Sequence, residues 1–182
     1  LDYEGYLESL DQVATVGVFD ETSMERITQL TNKTNQFNLT TRRLTRTELE
    51  HYRTDPGKLG LHVRLADRFG DNGLISVAAG HLDGDTFVVD LWLMSCRVFG
   101  RGVEHLMANR IAEGAARIGA ARIRGLYRPT AKNGLVAELY PSLGFAAVEG
   151  AVGEWVIDLD DYRPFQPAIR VAEPANGVES DE

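Results

Sequence analysis

A ten-residue stretch near the middle of the chain has the composition of a phosphate-binding turn. It covers Ser95–Glu104 and lies between an apolar, strand-like run at 87–94 and a helix-like run at 103–118. Gly100 and Gly102 allow the backbone to turn tightly, and the helix start adds free amides and partial positive charge. The stretch therefore predicts an anion site where a strand passes into a helix.

The same stretch holds Cys96, the only cysteine of the chain. The neighbouring Arg97 and Arg101 should make its thiol ionise more easily than that of a free cysteine. A thiolate at this place is a candidate nucleophile. The alternatives are that Cys96 packs as a small apolar residue at a strand end, and that the two arginines are simply exposed cations.

Asp90 is the one charged residue within the apolar run Phe87–Met94. Counting in twos along an extended strand places it on the same face as Trp92, Met94 and Cys96. A carboxylate among apolar neighbours usually has a partner or a catalytic role. Asp90 is therefore a candidate base.

The composition is that of a globular protein with an acidic surface. Of the 182 residues 43% are hydrophobic and 25% are charged, and the formal net charge of −8 argues against a nucleic-acid partner. No apolar run reaches the roughly 20 residues that span a bilayer, and no signal peptide opens the chain, so we expect a cytoplasmic protein without membrane contact. One cysteine excludes an internal disulfide, and the four histidines lack metal-ligand spacing, so no metal is expected.

Hydrophobic periodicity and turn residues predict a mixed α/β fold. Ser23 is the candidate cap of a first helix, and Thr45-x-x-Glu48 is a capping box for a second helix that ends at 55–57. Turns are predicted at 71–73 and 83–85. The predicted strands lie at 61–65, 74–79, 87–94, 123–127 and 155–157, and the later helices at 103–118 and 133–143.

The two ends of the chain carry separate expectations. The chain has no initiator Met, and its first twenty residues form no complete structural unit, so an excised domain is expected. Residues 1–165 are predicted to form this domain. Residues 166–182 are predicted to be an acidic, disordered tail, because the last ten residues contain four carboxylates and no basic residue.

The element order and the glycine turn together resemble the GNAT acyltransferase superfamily. This resemblance implies a mixed, largely antiparallel sheet flanked by helices. In the superfamily the turn holds the pyrophosphate of coenzyme A, which implies a site for coenzyme A or for the phosphopantetheine arm of an acyl carrier protein. The implied binding residues are Arg97, Val98, Gly100, Arg101 and Gly102.

A second block, from Asn133 to Phe145, resembles a later helix of the superfamily. The resemblance implies that Asn133 contacts the pantetheine arm and that Tyr140 lies near the thioester sulfur. Tyr140 would then protonate a leaving thiolate as a general acid. The alternatives are that Asn133 is a helix N-cap and that Tyr140 packs in the core with Val136 and Leu143.

A narrower match covers roughly residues 1–160. Its runs are similar to the C-terminal region of FkbH-like proteins, which usually join a haloacid-dehalogenase-type phosphatase domain to a GNAT-like domain. That family takes a glyceryl unit from 1,3-bisphosphoglycerate and loads it on an acyl carrier protein in polyketide biosynthesis. The matching runs are QLTNKTNQFNLTTRR at 29–43, LADRFGDNG at 65–73, SCRVFGRGVE at 95–104 and PTAKN at 129–133.

This resemblance implies that Cys96 attacks the acyl phosphate and carries a glyceryl or phosphoglyceryl thioester. The phosphopantetheine thiol of the carrier then takes the acyl group. The polar run after the first helix would hold the three-carbon phosphorylated donor, although an ordinary polar turn is the alternative. The implied donor-binding residues are Lys33, Thr34, Asn35, Gln36, Asn38, Arg42 and Arg43.

The chain departs from the FkbH-like pattern in one respect. It contains no Asp-x-Asp-x-Thr, so phosphate removal is not assigned to it, and a phosphatase domain is expected in the full-length protein. Two other functions stay open. One is a GNAT enzyme that moves an acetyl group directly from acetyl-CoA to an amine, and the other is a non-catalytic docking module for the carrier protein.

Overall fold

A computed structural model describes residues 2–172 of the chain. Its helices are α1 (Tyr3–Ser9), α2 (Met24–Lys33), α3 (Arg46–Thr54), α4 (Val103–Arg117) and α5 (Leu139–Ser142). Its strands are β1 (Gln12–Val18), β2 (Lys58–Asp67), β3 (Gly70–Asp83), β4 (Thr86–Met94), β5 (Arg122–Leu126), β6 (Ala146–Ala147), β7 (Glu154–Asp158) and β8 (Ile169–Ala172). Short 3₁₀ turns cover Cys96–Val98 and Gly134–Val136.

The strands form one sheet in the order β6-β7-β5-β4-β3-β2-β1-β8. Neighbouring strands run antiparallel, except that β4 pairs parallel with β5 and β1 pairs parallel with β8. Helix α4 packs on one face, where Trp92 and Met94 of β4 join its core. Helices α2 and α3 cover the other face, where Leu91 and Leu93 are buried. The predicted mixed, largely antiparallel sheet flanked by helices is confirmed.

A β-bulge on β4 determines where Asp90 points. Leu91 lies opposite Ala79 and Val89 lies opposite Gly80, so Asp90 is the extra residue of the bulge. The bulge shifts the alternation of side chains by one residue. Asp90 therefore reaches α3 on the face of Leu91, and the predicted placement on the face of Trp92, Met94 and Cys96 is wrong.

Residues 37–39, which lie between α2 and α3 in the chain, are inserted where β4 and β5 separate. Strands β4 and β5 pair only where Thr86–Val89 lies beside Arg122–Gly125. Beyond that point Leu39 donates its amide to the carbonyl of Trp92 at 3.0 Å, and Met94 donates to the carbonyl of Phe37 at 3.0 Å. The amide of Arg128, just after β5, donates to the carbonyl of Leu39 at 2.8 Å. Residues 37–39 thus satisfy the free edges of both strands.

The first residues of the described chain belong to the fold. Asp2 caps α1 by accepting a hydrogen bond from the amide of Gly5 at 2.7 Å, and β1 pairs with both β2 and β8. The first twenty residues thus contribute a helix and an inner strand to the sheet, and they are completed by β2 and β8. The predicted tail also begins too early, because Ile169–Ala172 adds an edge strand to the sheet. Residues 173–182 of that predicted tail lie outside the described residues.

The hairpin between β2 and β3 turns at Arg68 and Phe69, not at the predicted 71–73, which lie inside β3. Asp67 and Gly70 close this two-residue turn, and the Asp67 carboxylate accepts the Phe69 amide at 2.8 Å. An aspartate that binds the amide two residues later forms an Asx turn. This local hydrogen bond stabilises the turn at Arg68 and Phe69, which lies ahead of the predicted turn at 71–73.

Two helix predictions are corrected and one is confirmed. Thr45 and Glu48 form the predicted capping box at the start of α3. Ser23 makes no capping bond with its side chain, and Asp20 instead caps the short 3₁₀ turn before α2. The predicted helix at 133–143 is divided into a 3₁₀ turn and the four-residue α5, which contains Pro141. Proline has no amide for a helix hydrogen bond, which limits the regular helix here.

The packing of Tyr140 against β5 gives a prediction for stability. A Cβ added at Gly125 would clash with the Tyr140 ring, whereas one added at Gly134 would meet no atom within 4 Å. We expect Gly125→Ala to lower the free energy of unfolding by about 2 kcal/mol. Gly134→Ala is the control and should change it by less than about 0.5 kcal/mol. Urea denaturation followed by circular dichroism measures both values, and equal stability of the two variants would contradict the packing.

Candidate functional site

Cys96 lies at the surface, directly after β4. It begins the 3₁₀ turn Cys96–Val98, and its thiol is exposed. The next inward-facing residue, Val98, is completely buried and anchors the turn. Of the two interpretations of Cys96, the exposed thiol agrees with the structure and the packed apolar residue does not.

The two arginines beside the thiol make different contacts. Arg97 donates to the Ser95 hydroxyl at 3.3 Å and to the carbonyl of Asn72 at 3.2 Å, and within residues 2–172 no carboxylate pairs with it. Arg101 donates to the Asp67 carboxylate at 2.6 Å, and only 5% of the Asp67 side chain is exposed. Arg97 therefore has a positive charge available for a ligand, while the charge of Arg101 is balanced by Asp67.

The glycine turn leaves three backbone amides without an acceptor among the described residues. Gly100 and Gly102 have backbone φ values of 74° and 90°, which residues other than glycine rarely adopt. The amides of Gly100, Arg101 and Gly102 donate to no acceptor in the described part of the chain, and α4 begins at the next residue. The predicted tight turn before α4 is confirmed, and free amides at a helix start are a common feature of anion sites.

Two grooves meet at this turn. One has a volume of about 320 Å³ and lies between Phe37, Phe99 and the 135–142 segment. The other has a volume of about 610 Å³ and lies between α1 and the start of α4. Gly100 and Glu104 line both grooves, and Cys96 lines neither of them.

Tyr140 is part of the core. Only 1% of the residue is exposed, and its ring centroid lies 5.8 Å from that of Trp92 and 5.0 Å from that of Phe145. Burial raises the pKa of Tyr140 far above its ordinary value, so the phenol stays neutral. In this arrangement the hydroxyl is sealed from both grooves, which agrees with the core-packing alternative.

Asn133 is completely buried and holds the inserted segment in place. Its side-chain amide donates to the carbonyls of Asn38 and Arg128 at 2.9 Å each. Its side-chain oxygen accepts the Thr130 amide at 2.7 Å. It makes no capping bond, so the N-cap alternative is wrong, and its polar atoms are used within the protein.

The polar run at 33–43 is brought close to the end of β4, but many of its side chains already have partners within the run or at the end of α2. Thr34 donates to the carbonyl of Leu30 at 2.7 Å, and Asn38 donates to that of Thr34 at 3.1 Å. Arg43 donates to the carbonyl of Thr31 at 3.1 Å and also contacts Asn35. Lys33, Gln36, Arg42 and Arg43 are exposed members of the run.

Asp90 belongs to a second cluster that the spacing of residues did not predict. Its carboxylate accepts the Tyr52 hydroxyl at 2.9 Å, lies 2.7 Å from Nδ1 of His81, and lies 3.9 Å from a guanidinium nitrogen of Arg42. Burial and the nearby Asp90 charge raise the pKa of Tyr52 above its ordinary value. Tyr52 and His81 come from α3 and β3, and nothing in their local sequence indicates that they meet.

The structure therefore separates the predicted catalytic residues. Asp90 precedes Cys96 by six residues of mostly extended chain, a separation of roughly 15 to 20 Å, and it points to the sheet face that α3 covers. Cys96, Arg97 and the glycine turn remain together. Asp90, Tyr140 and Asn133 do not join them.

Among the described residues, no group of three or more histidine, cysteine or acidic side chains could hold a metal ion. The described helices are each too short or too polar to cross a bilayer.

Comparison with solved structures identifies the fold. The chain is similar to the GNAT domain of S. lividans PAT, with 17% identity, a TM-score of 0.61, and coverage of 79% of this chain and 89% of that one. It is also similar to the Vibrio cholerae spermidine N-acetyltransferase solved with CoA and spermine, with 14% identity, a TM-score of 0.58, and coverage of 82% and 97%. YncA of Salmonella typhimurium, solved with acetyl-CoA, gives 16% identity, a TM-score of 0.56, and coverage of 84% and 98%.

No family model and no curated sequence matches the chain. The structural likeness establishes a GNAT-like fold, as the sequence resemblance predicted.

The Arg101–Asp67 pair gives a prediction about pH. Burial alone would raise the pKa of Asp67, but hydrogen bonds from the Phe69 amide, Arg101 and Asn72 hold it below its ordinary value. A lowered pKa stabilises the folded state above about pH 4, and the contribution is lost as the pH falls further. We expect Arg101→Gln to lower the free energy of unfolding by about 2 kcal/mol at pH 7 and by much less at pH 3.

Urea denaturation at the two pH values measures this difference. Arg110→Gln is the matched control, because Arg110 pairs with Glu113 at 3.0 Å on the surface and should contribute less than about 1 kcal/mol. An equal loss of stability at pH 7 and pH 3 in Arg101→Gln would show that the pair does not contribute through its charge.

Proposed function

We propose that this protein is an acyltransferase that binds a phosphopantetheine-bearing molecule at the turn Gly100–Gly102. The observation that carries the proposal is the set of free amides at this turn, at the start of α4 and between two grooves. Backbone amides and a helix start stabilise phosphate groups. Phosphopantetheine is common to coenzyme A and to acyl carrier proteins, so the turn suits either molecule.

The more specific proposal is transfer of a glyceryl unit, in the cytoplasm, from 1,3-bisphosphoglycerate to an acyl carrier protein of polyketide biosynthesis. The Cys96 thiolate attacks the acyl carbonyl, a carbon–sulfur bond forms, and the carbon–oxygen bond to the acyl phosphate breaks with release of inorganic phosphate. Cys96 then carries a 3-phosphoglyceryl thioester, and hydrolysis of the remaining phosphate ester, which gives the glyceryl unit, falls to the phosphatase domain expected in the full-length protein. The phosphopantetheine thiol then attacks the thioester, and the Cys96 thiolate leaves. The exposed thiol, with Arg97 beside it, supports this proposal.

Direct transfer from an acyl-CoA, without a covalent intermediate, is the second candidate. Its support is that Cys96 lies outside both grooves at the turn. The YncA structure, which has the same fold, was solved with acetyl-CoA as its cofactor. In this mode the acceptor attacks the thioester carbonyl and the coenzyme A thiolate leaves.

The first experiment tests the thioester on Cys96. Incubation with a system that generates 1,3-bisphosphoglycerate should add one glyceryl or phosphoglyceryl group to the wild-type protein, and intact-mass spectrometry should detect it. Cys96→Ala should carry no such group, while Cys96→Ser serves as the nearly isosteric control and should be acylated at least tenfold more slowly. An adduct on Cys96→Ala would exclude Cys96 as the nucleophile.

The second experiment tests the phosphate turn, which both candidates share. Arg97→Gln should weaken coenzyme A binding about tenfold, because one charged hydrogen-bond donor to phosphate is lost. Arg64→Gln is the control, since Arg64 is exposed on β2 away from the turn and should leave the affinity unchanged. Isothermal titration measures both, and equal weakening of the two variants would show only a general effect of positive charge.

Binding of an acyl carrier protein without any adduct or turnover would instead support the docking module.

A further inference from the structure

Glu104 lies where the two grooves at the glycine turn meet. It is the second residue of α4, and it lines both grooves. The residue is only partly exposed, and its Oε2 atom is buried without a hydrogen-bond donor among residues 2–172. A buried carboxylate oxygen that lacks a donor costs free energy. A bound molecule that places an N–H or O–H group at Oε2 would remove this cost.

The carboxylate of Glu104 occupies the same end of α4 that would stabilise a phosphate group. The first turn of the helix and the unbonded amides at 100–102 carry partial positive charge. A carboxylate in the first turn already interacts with this charge. A phosphate at the turn is therefore stabilised less than at a helix start without an acidic residue, and each additional negative charge on the ligand is repelled by Glu104.

The walls of the two grooves carry more negative than positive charge. Arg101 is the only arginine or lysine within residues 2–172 that lines either groove, and Asp67 balances its charge at 2.6 Å. Arg97, beside the turn, supplies the available positive charge. One available guanidinium suits a ligand with one negative charge better than a ligand with several. The acidic residues that line the grooves are Glu4, Glu8, Glu104 and Glu138.

The two kinds of molecule that carry phosphopantetheine differ in charge. An arm attached to a serine of a carrier protein has one phosphodiester, which carries a single negative charge. Coenzyme A has a diphosphate and a 3′-phosphate, which together carry about four negative charges at neutral pH. Both molecules share the pantetheine arm, whose amides and hydroxyl can donate to Oε2 of Glu104.

We propose that Glu104 is a specificity-determining residue, which makes the glycine turn prefer phosphopantetheine carried by a protein over coenzyme A. Glu104 accepts a hydrogen bond from the neutral arm, which both molecules share. It repels the additional phosphates, which only coenzyme A has. The inference rests on the phosphopantetheine site proposed above and names which of the two molecules that site takes.

A structural role alone would leave the selectivity for ligands unchanged. An acidic residue in the first turn stabilises a helix whatever ligand is bound. Removal of its charge would then alter the binding of both molecules alike, or of neither. The ratio of the two affinities is therefore the quantity that reports on the proposed role.

Isothermal titration with two probes measures this ratio. The probes are coenzyme A and an uncharged serine peptide, with blocked ends, that carries phosphopantetheine. The wild-type protein should bind the peptide more tightly than coenzyme A by about fivefold or more. Glu104→Gln removes the charge at nearly constant size. It should strengthen the binding of coenzyme A about tenfold and change that of the peptide by less than about threefold.

Glu113→Gln is the matched control for a change in net charge. Glu113 is an exposed residue of α4 that pairs with Arg110 at 3.0 Å and lines neither groove at the turn. Its substitution should change both affinities by less than about twofold. If Glu113→Gln strengthens the binding of coenzyme A as much as Glu104→Gln does, the effect comes from net charge and the proposal is overturned.

A measurement on the wild-type protein covers the case in which Glu104→Gln fails to fold. Salt screens the electrostatic difference between the two probes. Raising the NaCl concentration from about 0.05 M to about 0.5 M should therefore reduce the preference for the peptide. A wild-type protein that prefers coenzyme A, or a preference for the peptide that does not change with salt, overturns the proposal.

The proposed function and the role of Glu104 can fail separately. If neither probe binds to the wild-type protein or to Glu104→Gln, the phosphopantetheine site is overturned, and the role of Glu104 is overturned with it. If both probes bind with the same affinity ratio in the two proteins, only the role of Glu104 is overturned and the phosphopantetheine site stands.

Discussion

The backbone hydrogen bonds of β4 beyond its bulge determine where the candidate site residues lie. After Val89 the strand loses β5 as a neighbour and gains residues 37–39, which bond to Trp92 and Met94. Asn133 fixes the inserted segment from the other side. Unpaired strand edges in a core are costly, so the insertion, the bulge and the loop after β5 have to form together.

The same arrangement divides the chemistry between two places. The end of β4 carries the exposed Cys96 thiol and leads into the glycine turn at the start of α4. The bulge directs Asp90 to the sheet face that α3 covers, where it meets His81 and Tyr52. The exposed thiol after β4 and the His81–Asp90 pair across β3 and β4 therefore lie apart and do not form one catalytic group.

The features that depend on neighbouring residues could be predicted from sequence. The Thr45–Glu48 capping box, the turn at 83–85 and the glycine turn before α4 are local, and each lies where it was predicted. The face of Asp90 depends on pairing with β3, and the insertion of 37–39 depends on two strands that follow much later in the chain. His81 and Tyr52 became recognisable only once these long-range contacts were known.

The edge strand β8 links the end of the described chain to the glycine turn. The side-chain amide of Gln12 on β1 donates to the carbonyls of Arg101 and Ala168 at 3.2 Å each, and a Cβ added at Gly102 would lie 2.9 Å from Pro167. A chain cut at residue 165 would leave β1 with an open edge on which other molecules could add strands. It would also remove part of the support of the glycine turn, so solubility and the rigidity of the turn would fall together.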